Sequence, residues 1–470
     1  MPSSESLYES LALELRRRIR VGALASGERV PSVRDMSRQA GVSVGTVVQA
    51  YQQLEAEGVI EARPQSGYYV RAMRLPGIAA QRTRAAPRPR TLSRSLLDQV
   101  LAVYARDDLV PLHSATPAPS LLPTTRIAAI ARDLLRRMPD RISAYVHPPG
   151  LPLLRAQIAR RLNLAGLDVQ ADDVMITAGA MEAITLSLQV LTRPGDAVLV
   201  ERPTYYGLMQ AIQARGLKVV EIPNCCDDGP DLELALKALA TQPIRAAVLI
   251  PSFSNPSGAT MPEDARRVLA QACALRGVPV IEDDVYGELG FDGRRPLPMK
   301  AFEGNGGGVI LCGSVSKIMA PGLRIGWTVS ARWREALIRA KAFTSCSTPT
   351  LSQHVVAEMF AGANIDRPLR RLRSELAANV VRFHGQIASH WPPGTRVSRP
   401  RGGVVLWVQL PAGHDAHLLF ERALDAGIGI IPGTLFSSSG AYRDCVRLSC
   451  AAEWNPATEA ALQRLGELAA

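Results

Sequence analysis

The segment that decides the fold runs from Ser314 to Trp327 and reads SVSKIMAPGLRIGW. Lys317 follows an apolar run that favours a strand, has Ser314 and Ser316 close by, and is followed seven residues later by Arg324. A lysine amine can form a Schiff base with an aldehyde cofactor, and hydroxyls and an arginine can bind a phosphate. A lysine after a strand is usually an ordinary surface residue, so the interpretation depends on what accompanies it.

Four polar or aromatic residues earlier in the chain have the chemistry that a pyridine-type aldehyde cofactor needs. Asp283 ends a strand-like run 34 residues before Lys317 and can pair with a protonated ring nitrogen. Tyr286 and Asn255 can hydrogen-bond the phenolic oxygen of the ring, and Tyr205 can stack on its face. Taken singly, each could be an ordinary turn or core-edge residue. The ordered set predicts a cofactor site.

A phosphate site is predicted where a strand-like run meets a helix at residues 177–181. Free backbone N–H groups and the positive end of the dipole at the start of a helix favour phosphate binding. The residues at this turn are Gly179, Ala180 and Met181.

Beyond residue 108, apolar strand-like runs alternate with amphipathic helices such as 262–276. This rhythm predicts an α/β domain with a mostly parallel central sheet. In such sheets ligands bind at the carboxyl ends of the strands, where the candidate residues fall. The strands are predicted at 174–177, 197–201, 218–222, 246–250, 278–282 and 308–312.

The first 71 residues have the spacing of a helix-turn-helix followed by a β-hairpin wing. A second helix from Ser32 to Ala40 and a third helix capped by Ser43 follow an amphipathic first helix, and strands at 59–63 and 67–71 form the wing. The residues predicted to be buried in the first and third helices are Leu7, Leu11, Leu15, Ile19, Val44, Val47, Val48, Tyr51 and Leu54. On the third helix, Gly45, Thr46, Gln49 and Gln52 would face outward.

The charge is concentrated at the N-terminal end of the chain. The formal net charge is +11, and residues 1–95, with 15 arginines and 8 acidic residues, hold +7 of it. This distribution favours a nucleic-acid partner, although a basic solvated surface would look the same. Residues 73–107 form an Arg-, Pro- and Ala-rich linker, whose charge either contacts the DNA backbone or keeps the segment solvated.

The composition argues against several classes of protein. No run of about 18 apolar residues is present and the N-terminus lacks a signal peptide, so we expect a cytoplasmic protein without a membrane span. The seven cysteines form neither a CxxC pair nor a metal-ligand spacing, which predicts reduced thiols and no metal site. Cys225 and Cys226 are expected to stay reduced rather than form a vicinal disulfide.

Residues 7–71 resemble the GntR superfamily of winged-helix repressors over nearly their whole length. The matching motifs are PSVR at 31–34, GVSVGTV at 41–47, AY at 50–51, LEAEG at 54–58 and SGYYV at 66–70. The resemblance implies contacts to a double-stranded DNA operator from Arg34, Ser43, Thr46 and the wing around Gly67.

One departure from the GntR pattern affects the expected DNA contacts. Many relatives have an arginine at the position that Val44 occupies, and its absence shifts the binding toward Arg34, Gln49, Arg63 and Gln65. The alternative is that the three-helix unit serves only for dimerisation or protein docking.

Residues 108–470 resemble the fold-type-I pyridoxal-phosphate aminotransferases. The resemblance makes Lys317 the Schiff-base lysine, Asp283 the partner of the pyridine nitrogen, and Tyr286 and Asn255 ligands of the phenolic oxygen. It places around the phosphate Gly179, Ala180, Met181, Ser314, Ser316 and Arg324. Relatives often have glutamine at the position of Met181, but only the backbone N–H is needed there.

Two further residues take their roles from this resemblance alone. Tyr145, in YVHPPG at 145–150, matches a tyrosine that reaches the phosphate of the partner subunit. Arg447, in VRLS at 446–449, matches an arginine that binds the α-carboxylate of a substrate through a bidentate pair. The implied fold includes a smaller C-terminal α+β subdomain.

A GntR winged helix at 1–72, a linker at 73–107 and an aminotransferase-like domain at 108–470 together resemble the MocR-type regulators. That family implies bound pyridoxal phosphate, an amine or amino-acid effector, altered transcription and a head-to-tail homodimer. Two alternatives stay open. One is an active aminotransferase with an appended DNA-binding domain, because the lysine and the carboxylate-binding arginine are both present. The other is a sensor of pyridoxal phosphate itself.

Overall fold

The computed structural model describes residues 7–20, 24, 27–63, 66–71, 94–224, 228–362 and 365–470. Gln65, expected in the wing, and Cys225 and Cys226 lie outside these described residues. No helix in the described part of the chain is long and apolar enough to cross a membrane.

The N-terminal unit consists of three helices followed by an antiparallel hairpin. Its elements are α1 Leu7–Arg20, α2 Val33–Ala40, α3 Val44–Ala56, β1 Ile60–Arg63 and β2 Gly67–Val70. The Ser32 hydroxyl caps α2 by accepting from the Asp35 N–H at 3.2 Å, and the Ser43 hydroxyl caps α3 by accepting from the Thr46 N–H at 3.1 Å. Gly41, with φ 65°, provides the left-handed turn between these helices. Both predicted caps are therefore confirmed.

The helices of this unit share a core with the hairpin. Its buried residues include Leu15, Met36, Val47, Tyr51, Leu54, Ile60 and Val70. Two expected core positions are wrong, because Leu7 is 69% exposed and Val44 is 51% exposed. Each is the first residue of its helix. The amphipathic period identifies which face of a helix is buried. It does not show how far along that face the neighbouring elements cover the helix.

A seven-stranded sheet lies at the centre of the large domain, counted over the described residues from 94 onward. Its strands are β3 Val174–Thr177, β4 Ala197–Arg202, β5 Lys218–Pro223, β6 Ile244–Leu249, β7 Val280–Asp283, β8 Val309–Ser314 and β9 Gly326–Val329. They lie in the order β3-β9-β8-β7-β6-β4-β5. Strands β4 to β8 are parallel, whereas β9 runs antiparallel to both β3 and β8. The predicted mostly parallel sheet is confirmed.

The six predicted strands are all present, with ends shifted by at most two residues. Strand β9 was not predicted from the sequence, because it is short and begins with a glycine. Asp283 is the last residue of β7 and Ser314 is the last residue of β8. Because these strands are parallel neighbours, their carboxyl ends bring the two residues to the same edge of the sheet.

Helices cover both faces of this sheet. Successive residues of β7 point to opposite faces, so that Val280 packs under one group of helices and Ile281 under another. The helices that follow the N-terminal unit are α4 Arg94–Val103, α5 Thr124–Arg137, α6 Pro139–Ser143, α7 Pro152–Leu164, α8 Ala180–Leu191, α9 Tyr206–Ala214, α10 Leu232–Thr241, α11 Glu263–Leu275, α12 Arg334–Thr344, α13 Thr350–Phe360, α14 Asp366–His390, α15 Ala416–Asp425 and α16 Pro456–Ala469.

A smaller antiparallel sheet forms the C-terminal subdomain. Its strands are β10 Arg396–Val397, β11 Val405–Gln409, β12 Ile431–Pro432 and β13 Cys445–Ser449, in the order β10-β11-β13-β12. The predicted C-terminal α+β subdomain is therefore present. Helix α4 contributes Val100 and Val103 to the core of this subdomain, although it precedes the large sheet in the chain. The expected linker at 73–107 therefore does not extend over this helix, because the helix is packed into the large domain.

Candidate functional site

A cavity of about 400 Å³ opens at the carboxyl edge of the large sheet. It collects residues from distant parts of the chain, including the strand ends of β7 and β8, the start of α8, and β13. The predicted residues that line it are Ala180, Met181, Tyr205, Asn255, Asp283, Tyr286, Ser314, Ser316, Lys317, Arg324 and Arg447. The volume lies in the range of small-molecule and cofactor sites.

Lys317 lies in the cavity just beyond the end of β8. Its Nζ donates a hydrogen bond to Thr116 Oγ1 at 3.2 Å. Burial lowers the pKa of Lys317 to about 8, and the nearby positive charge of Arg447 acts in the same direction. A lysine with a lowered pKa supplies more of the unprotonated amine that attacks an aldehyde.

Asp283 is a buried carboxyl group. No cationic side chain among the described residues donates a hydrogen bond to it. It is 5% exposed, and its Oδ1 accepts from the backbone N–H of Val285 at 3.3 Å. Burial raises the pKa of Asp283 to about 7, while the positive charge of Lys317 partly opposes that rise. Such a group suits a cationic partner held inside the cavity, because a buried charge needs an opposite charge to stabilise it.

The turn that precedes α8 packs closely against β9 and Arg324. A Cβ atom at Gly179 would lie 2.6 Å from Arg324 Nη2, and one at Gly326 would lie 2.5 Å from the carbonyl carbon of Gly179. Gly179 has φ 92°, which also favours glycine. Arg324 Nη2 donates to the Ala178 carbonyl at 2.9 Å. These contacts hold an arginine beside the N-terminus of a helix.

Two serine hydroxyls complete this end of the cavity. Ser314 Oγ lies 2.8 Å from Ser316 Oγ and accepts from the Ser316 N–H at 3.0 Å. Hydroxyls, an arginine and the N-terminus of a helix form a set of donors that suits a phosphate. Gly179 itself does not line the cavity, but it makes the close approach of Arg324 sterically possible.

Arg447 is fully buried in the middle of β13 and reaches the cavity. It donates to the backbone carbonyl of His113 and, at 3.5 Å, to Asn255 Oδ1, while its Nε has no hydrogen-bond partner among the described residues. Asn255 Nδ2 also donates to Tyr286 Oη at 3.5 Å. Burial of the His113 imidazole beside this guanidinium lowers the pKa of His113 to about 4, so the ring stays neutral.

Several residues of the cavity were not identified from the sequence. Thr116, Tyr104 and Tyr206 line it, and Thr116 contacts the amine of Lys317. Their signal in the sequence is weak because they lie in irregular segments or beside better candidates, as Tyr206 lies next to Tyr205. Burial raises the pKa of Tyr205 to about 12, so its hydroxyl stays protonated.

Tyr145, like Gly179, is an expected site residue of the large domain that does not line this cavity. Its side chain is 74% exposed, and it lies 5.7 Å from the ring of His147, measured between ring centroids. The resemblance implies that this tyrosine contacts the phosphate of a neighbouring subunit. A side chain with that role must be exposed on its own subunit.

The residues present fit pyridoxal phosphate. The buried carboxyl of Asp283 suits a protonated pyridine nitrogen, Lys317 is an amine with a lowered pKa, and the turn at Gly179 lies against Arg324. When bound, the cofactor supplies an aldehyde and an electron-withdrawing ring. The surrounding side chains would hold and orient it.

Apart from Gln65, which lies outside the described residues, the predicted DNA-contacting residues lie on the surface of the N-terminal unit. Arg34 and Gln49 are exposed, and the Thr46 hydroxyl lies 2.8 Å from that of Ser43. Arg63 pairs with Glu61 at 2.8 Å, and its guanidinium lies 4.4 Å from the centroid of the Tyr69 ring. Gly67 has φ 102° in the hairpin, and a Cβ there would come within 3.3 Å of the Arg29 guanidinium.

Comparison with known protein families agrees with both parts of the chain. Residues 116–465 match the family model for aminotransferase class I and II, and residues 7–70 match that for bacterial regulatory proteins of the gntR family. The first match alone spans more than half of the chain.

Three relatives illustrate the likeness. The chain is 35% identical to the uncharacterized HTH-type transcriptional regulator YjiR of Escherichia coli (strain K12), over 98% of both chains. It is 27% identical to the probable rhizopine catabolism regulatory protein MocR of Rhizobium meliloti, over 92% of this chain and 86% of that one. The structure is similar to that of LysN from Thermus thermophilus, an α-aminoadipate aminotransferase complexed with N-(5′-phosphopyridoxyl)-L-leucine, with a TM-score of 0.73 and 31% identity over 80% of this chain and 95% of that one.

Three findings indicate the same family. They are the order of the two matched regions, the full-length likeness to transcriptional regulators and the cofactor-sized cavity. The chain therefore belongs to the MocR-type transcriptional regulators of the GntR superfamily, in which a DNA-binding winged helix-turn-helix is joined to an aminotransferase-like domain that binds pyridoxal phosphate.

Proposed function

We propose that this regulator binds an amino acid at its cofactor and changes its DNA binding in response. The observation that carries the proposal is Arg447, a fully buried guanidinium that reaches the cavity and whose Nε has no partner in the described part of the chain. A buried arginine without a carboxylate partner is expensive to maintain. A bound α-carboxylate would supply that partner through a bidentate pair.

The cofactor has a matching set of contacts in this proposal. Lys317 forms the covalent bond to pyridoxal phosphate, Asp283 pairs with the pyridine nitrogen, and Tyr205 stacks on the ring. Asn255 and Tyr286 hydrogen-bond the phenolic oxygen; their mutual hydrogen bond at 3.5 Å supports a shared ligand between them. The phosphate is bound by the backbone at Gly179, Ala180 and Met181 together with Ser314, Ser316 and Arg324.

The N-terminal unit binds a double-stranded operator. Arg34, Ser43, Thr46, Gln49, Arg63 and the wing at Gly67 and Gln65 make the contacts in this proposal. Arg34 and Arg63 contact phosphates, whereas Thr46 and Gln49 face base edges from α3. The exposure of Arg34 and Gln49 supports these roles, since both side chains are free to reach a ligand as large as DNA.

We infer a head-to-tail homodimer as the form that binds DNA. The support is Tyr145, whose ring is largely exposed on its own subunit and whose counterpart in the resembling family contacts the phosphate of the partner subunit. Two N-terminal units in one particle would bind two half-sites together.

The test is a titration of the full-length protein, with pyridoxal phosphate bound, against each of the twenty amino acids. The visible absorption band of the cofactor reports ligand binding, and a parallel gel-shift or anisotropy assay reports operator affinity. Each amino acid that changes the band is compared with the amine that has the same side chain but no carboxylate.

Replacing Arg447 with Gln should weaken amino-acid binding by about 2–3 kcal/mol, or roughly 30- to 150-fold, because a charged bidentate pair is lost. Binding of the matched amine should change little, and Arg370→Gln, at an exposed position on α14, serves as the control. Equal losses for the amino acid and its amine would refute the carboxylate role of Arg447.

The same titration separates the two alternatives. Accumulation of the 2-oxo acid derived from the added amino acid would identify an active aminotransferase. A change in operator affinity on adding pyridoxal phosphate alone, with no further effect of any amino acid, would identify a sensor of the cofactor.

A further inference from the structure

Helix α4 forms one wall of the cavity and lies immediately after the stretch 72–93 that connects it, in the chain, to the N-terminal unit. One side of this helix packs in the core of the C-terminal subdomain, where Val100 and Val103 are at most 2% exposed. Leu101 on the next face and Tyr104 just after the helix line the cavity. These two residues are 54% and 43% exposed, so they stand at the mouth of the cavity.

A chain of hydrogen bonds joins this wall to Arg447. Tyr206 Oη donates to Tyr104 Oη at 2.9 Å, and Tyr104 Oη donates to the His113 carbonyl at 3.3 Å. Arg447 donates to the same carbonyl oxygen. Any ligand that moves the Arg447 guanidinium therefore acts on a carbonyl that also holds the C-terminal end of α4.

Among the described residues of one subunit, the cavity offers no unassigned charge to pair with a charged effector side chain. Among the described residues that line it, the cations are Lys317, Arg324 and Arg447, and the carboxylate is Asp283. The proposed function assigns the first two cations and the carboxylate to the cofactor, and Arg447 to the α-carboxylate. The remaining wall at the mouth is Leu101, Tyr104 and Pro321, which is largely apolar.

We propose that α4 recognises the side chain of the effector by contacting it through Leu101 and Tyr104, and that the effector is an amino acid with an uncharged, apolar side chain. The inference rests on the proposed function and names the ligand class and the responding element of that site. A ligand side chain that covers Leu101 and Tyr104 removes apolar surface from water, which favours the docked position of α4.

The length of α4 makes it a suitable responding element. It has ten residues, and an isolated helix of that length is only marginally stable in water. The position of α4 consequently depends on its contacts with the rest of the domain. A bound effector adds further contacts to these. Because α4 is the first helix after residues 72–93, which join it to the DNA-binding unit in the chain, a change in its docking acts at the point where that connection meets the large domain.

The experiment uses the full-length protein with pyridoxal phosphate bound and four ligands: L-leucine, L-phenylalanine, L-glutamate and L-lysine. Absorption titrations should show that L-leucine or L-phenylalanine binds at least tenfold more tightly than either charged amino acid. Leu101→Ala should reduce the affinity for the preferred ligand about five- to tenfold, because an apolar contact is lost. Gln99→Ala, at an exposed position of the same helix, is the matched control and should bind like the wild type.

Tyr104→Phe tests the link to DNA binding, since it retains the ring and removes the hydroxyl between Tyr206 and His113. The ratio of operator affinities with and without the preferred ligand should move at least threefold toward one in this variant, but not in Gln99→Ala. Leu101→Ala, at a largely exposed position, gives a second result that does not depend on the buried network.

The outcomes separate this inference from the proposed function. If no amino acid alters the absorption band, both are refuted. If L-glutamate or L-lysine binds best, the proposed function stands and the apolar effector class is wrong. If neutral ligands bind best but Leu101→Ala and Tyr104→Phe both behave like Gln99→Ala, the role of α4 is wrong.

Discussion

The N-terminal unit and the cavity of the large domain use polar side chains in opposite environments. Arg34 and Gln49 of the N-terminal unit are exposed to water. In the cavity, Asp283 and Arg447 are almost fully buried, and burial moves the pKa of Asp283 to about 7 and that of Lys317 to about 8. One region presents charge outward, whereas the other removes it from solvent.

The difference reflects the size of the two ligands. DNA cannot enter a cavity, so its contacts must lie on a convex surface, where charge acts mainly through the release of counterions. A small ligand can be enclosed, and enclosure strengthens each interaction with a charged group because the local dielectric is low. Enclosure is the main cause of the lowered pKa of Lys317 and the raised pKa of Asp283.

The largest expected effect lies in the buried region. Lys317→Ala should abolish the visible band of covalently bound cofactor and its fixation to the protein by borohydride, because the variant has no amine at that position. Lys237→Ala, at an exposed position of α10, should retain both signals. The measurement is absorption spectroscopy followed by mass spectrometry of the reduced protein. A reducible adduct that survives in Lys317→Ala would show that another lysine carries the cofactor.

The next effect tests the exposed region. If Arg34 and Arg63 of two protomers contact four phosphates, operator affinity should fall about a hundredfold between 50 and 200 mM salt. Arg34→Ala should lower the slope of log affinity against log salt by about 2, one phosphate contact per half-site. The control is Arg17→Ala, on α1, which pairs with Glu14. An Arg34→Ala slope equal to that of the wild type would remove Arg34 from the phosphate contacts.

Arg63→Ala should have a smaller effect on operator affinity than Arg34→Ala. Arg63 already pairs with Glu61 at 2.8 Å, so it must give up that partner to bind a phosphate. An exposed pair of this kind is worth at most about 1 kcal/mol, so Arg63 can still bind a phosphate. The free energy gained from that contact is reduced by the loss of the pair with Glu61. Equilibrium binding at one fixed salt concentration, with both variants on the same operator, would rank them. A larger loss for Arg63→Ala would place the wing ahead of α2 in DNA binding.

A further prediction concerns the pH dependence of stability in the cofactor-free protein. In the folded state Asp283 holds its proton up to about pH 7, whereas the unfolded chain releases it near its ordinary pKa of 3.8. Its contribution to stability is therefore present below about pH 4 and is lost as the pH rises through 7. Asp283→Asn should gain stability relative to the wild type over this range, by up to about 4 kcal/mol, since one pKa unit is worth about 1.4 kcal/mol.

Thermal or urea unfolding of the two proteins between pH 4 and 8 would measure this difference. Asp98→Asn, at an exposed position of α4, should follow the wild type throughout. A difference between Asp283→Asn and the wild type that does not change with pH would mean that Asp283 is ionised in the folded protein at acidic pH. Adding pyridoxal phosphate should reduce the pH dependence, because a cationic ring nitrogen stabilises the carboxylate.

The sequence by itself was sufficient for much of the local structure. Ser32 and Ser43 cap their helices as their positions indicated, because capping depends on residues only three positions apart. The parallel strands and the residues at their ends were also predictable, since an apolar run and the polar residue that follows it are both local signals. The ordered set from Asn255 to Arg324 identified the cofactor chemistry for the same reason.

Only the tertiary structure showed that Tyr104, Thr116 and Tyr206 share the cavity with the predicted residues. Thr116 reaches Lys317 across 201 positions of sequence, and the His113 carbonyl accepts from Arg447 across 334. Tertiary packing also left Val44 at the surface although its period favoured burial. Local sequence specifies capping, turns and apolar faces through neighbouring atoms. The packing of α4 into the core of the C-terminal subdomain, and with it the mouth of the cavity, depends on how separate elements pack, which no short segment encodes.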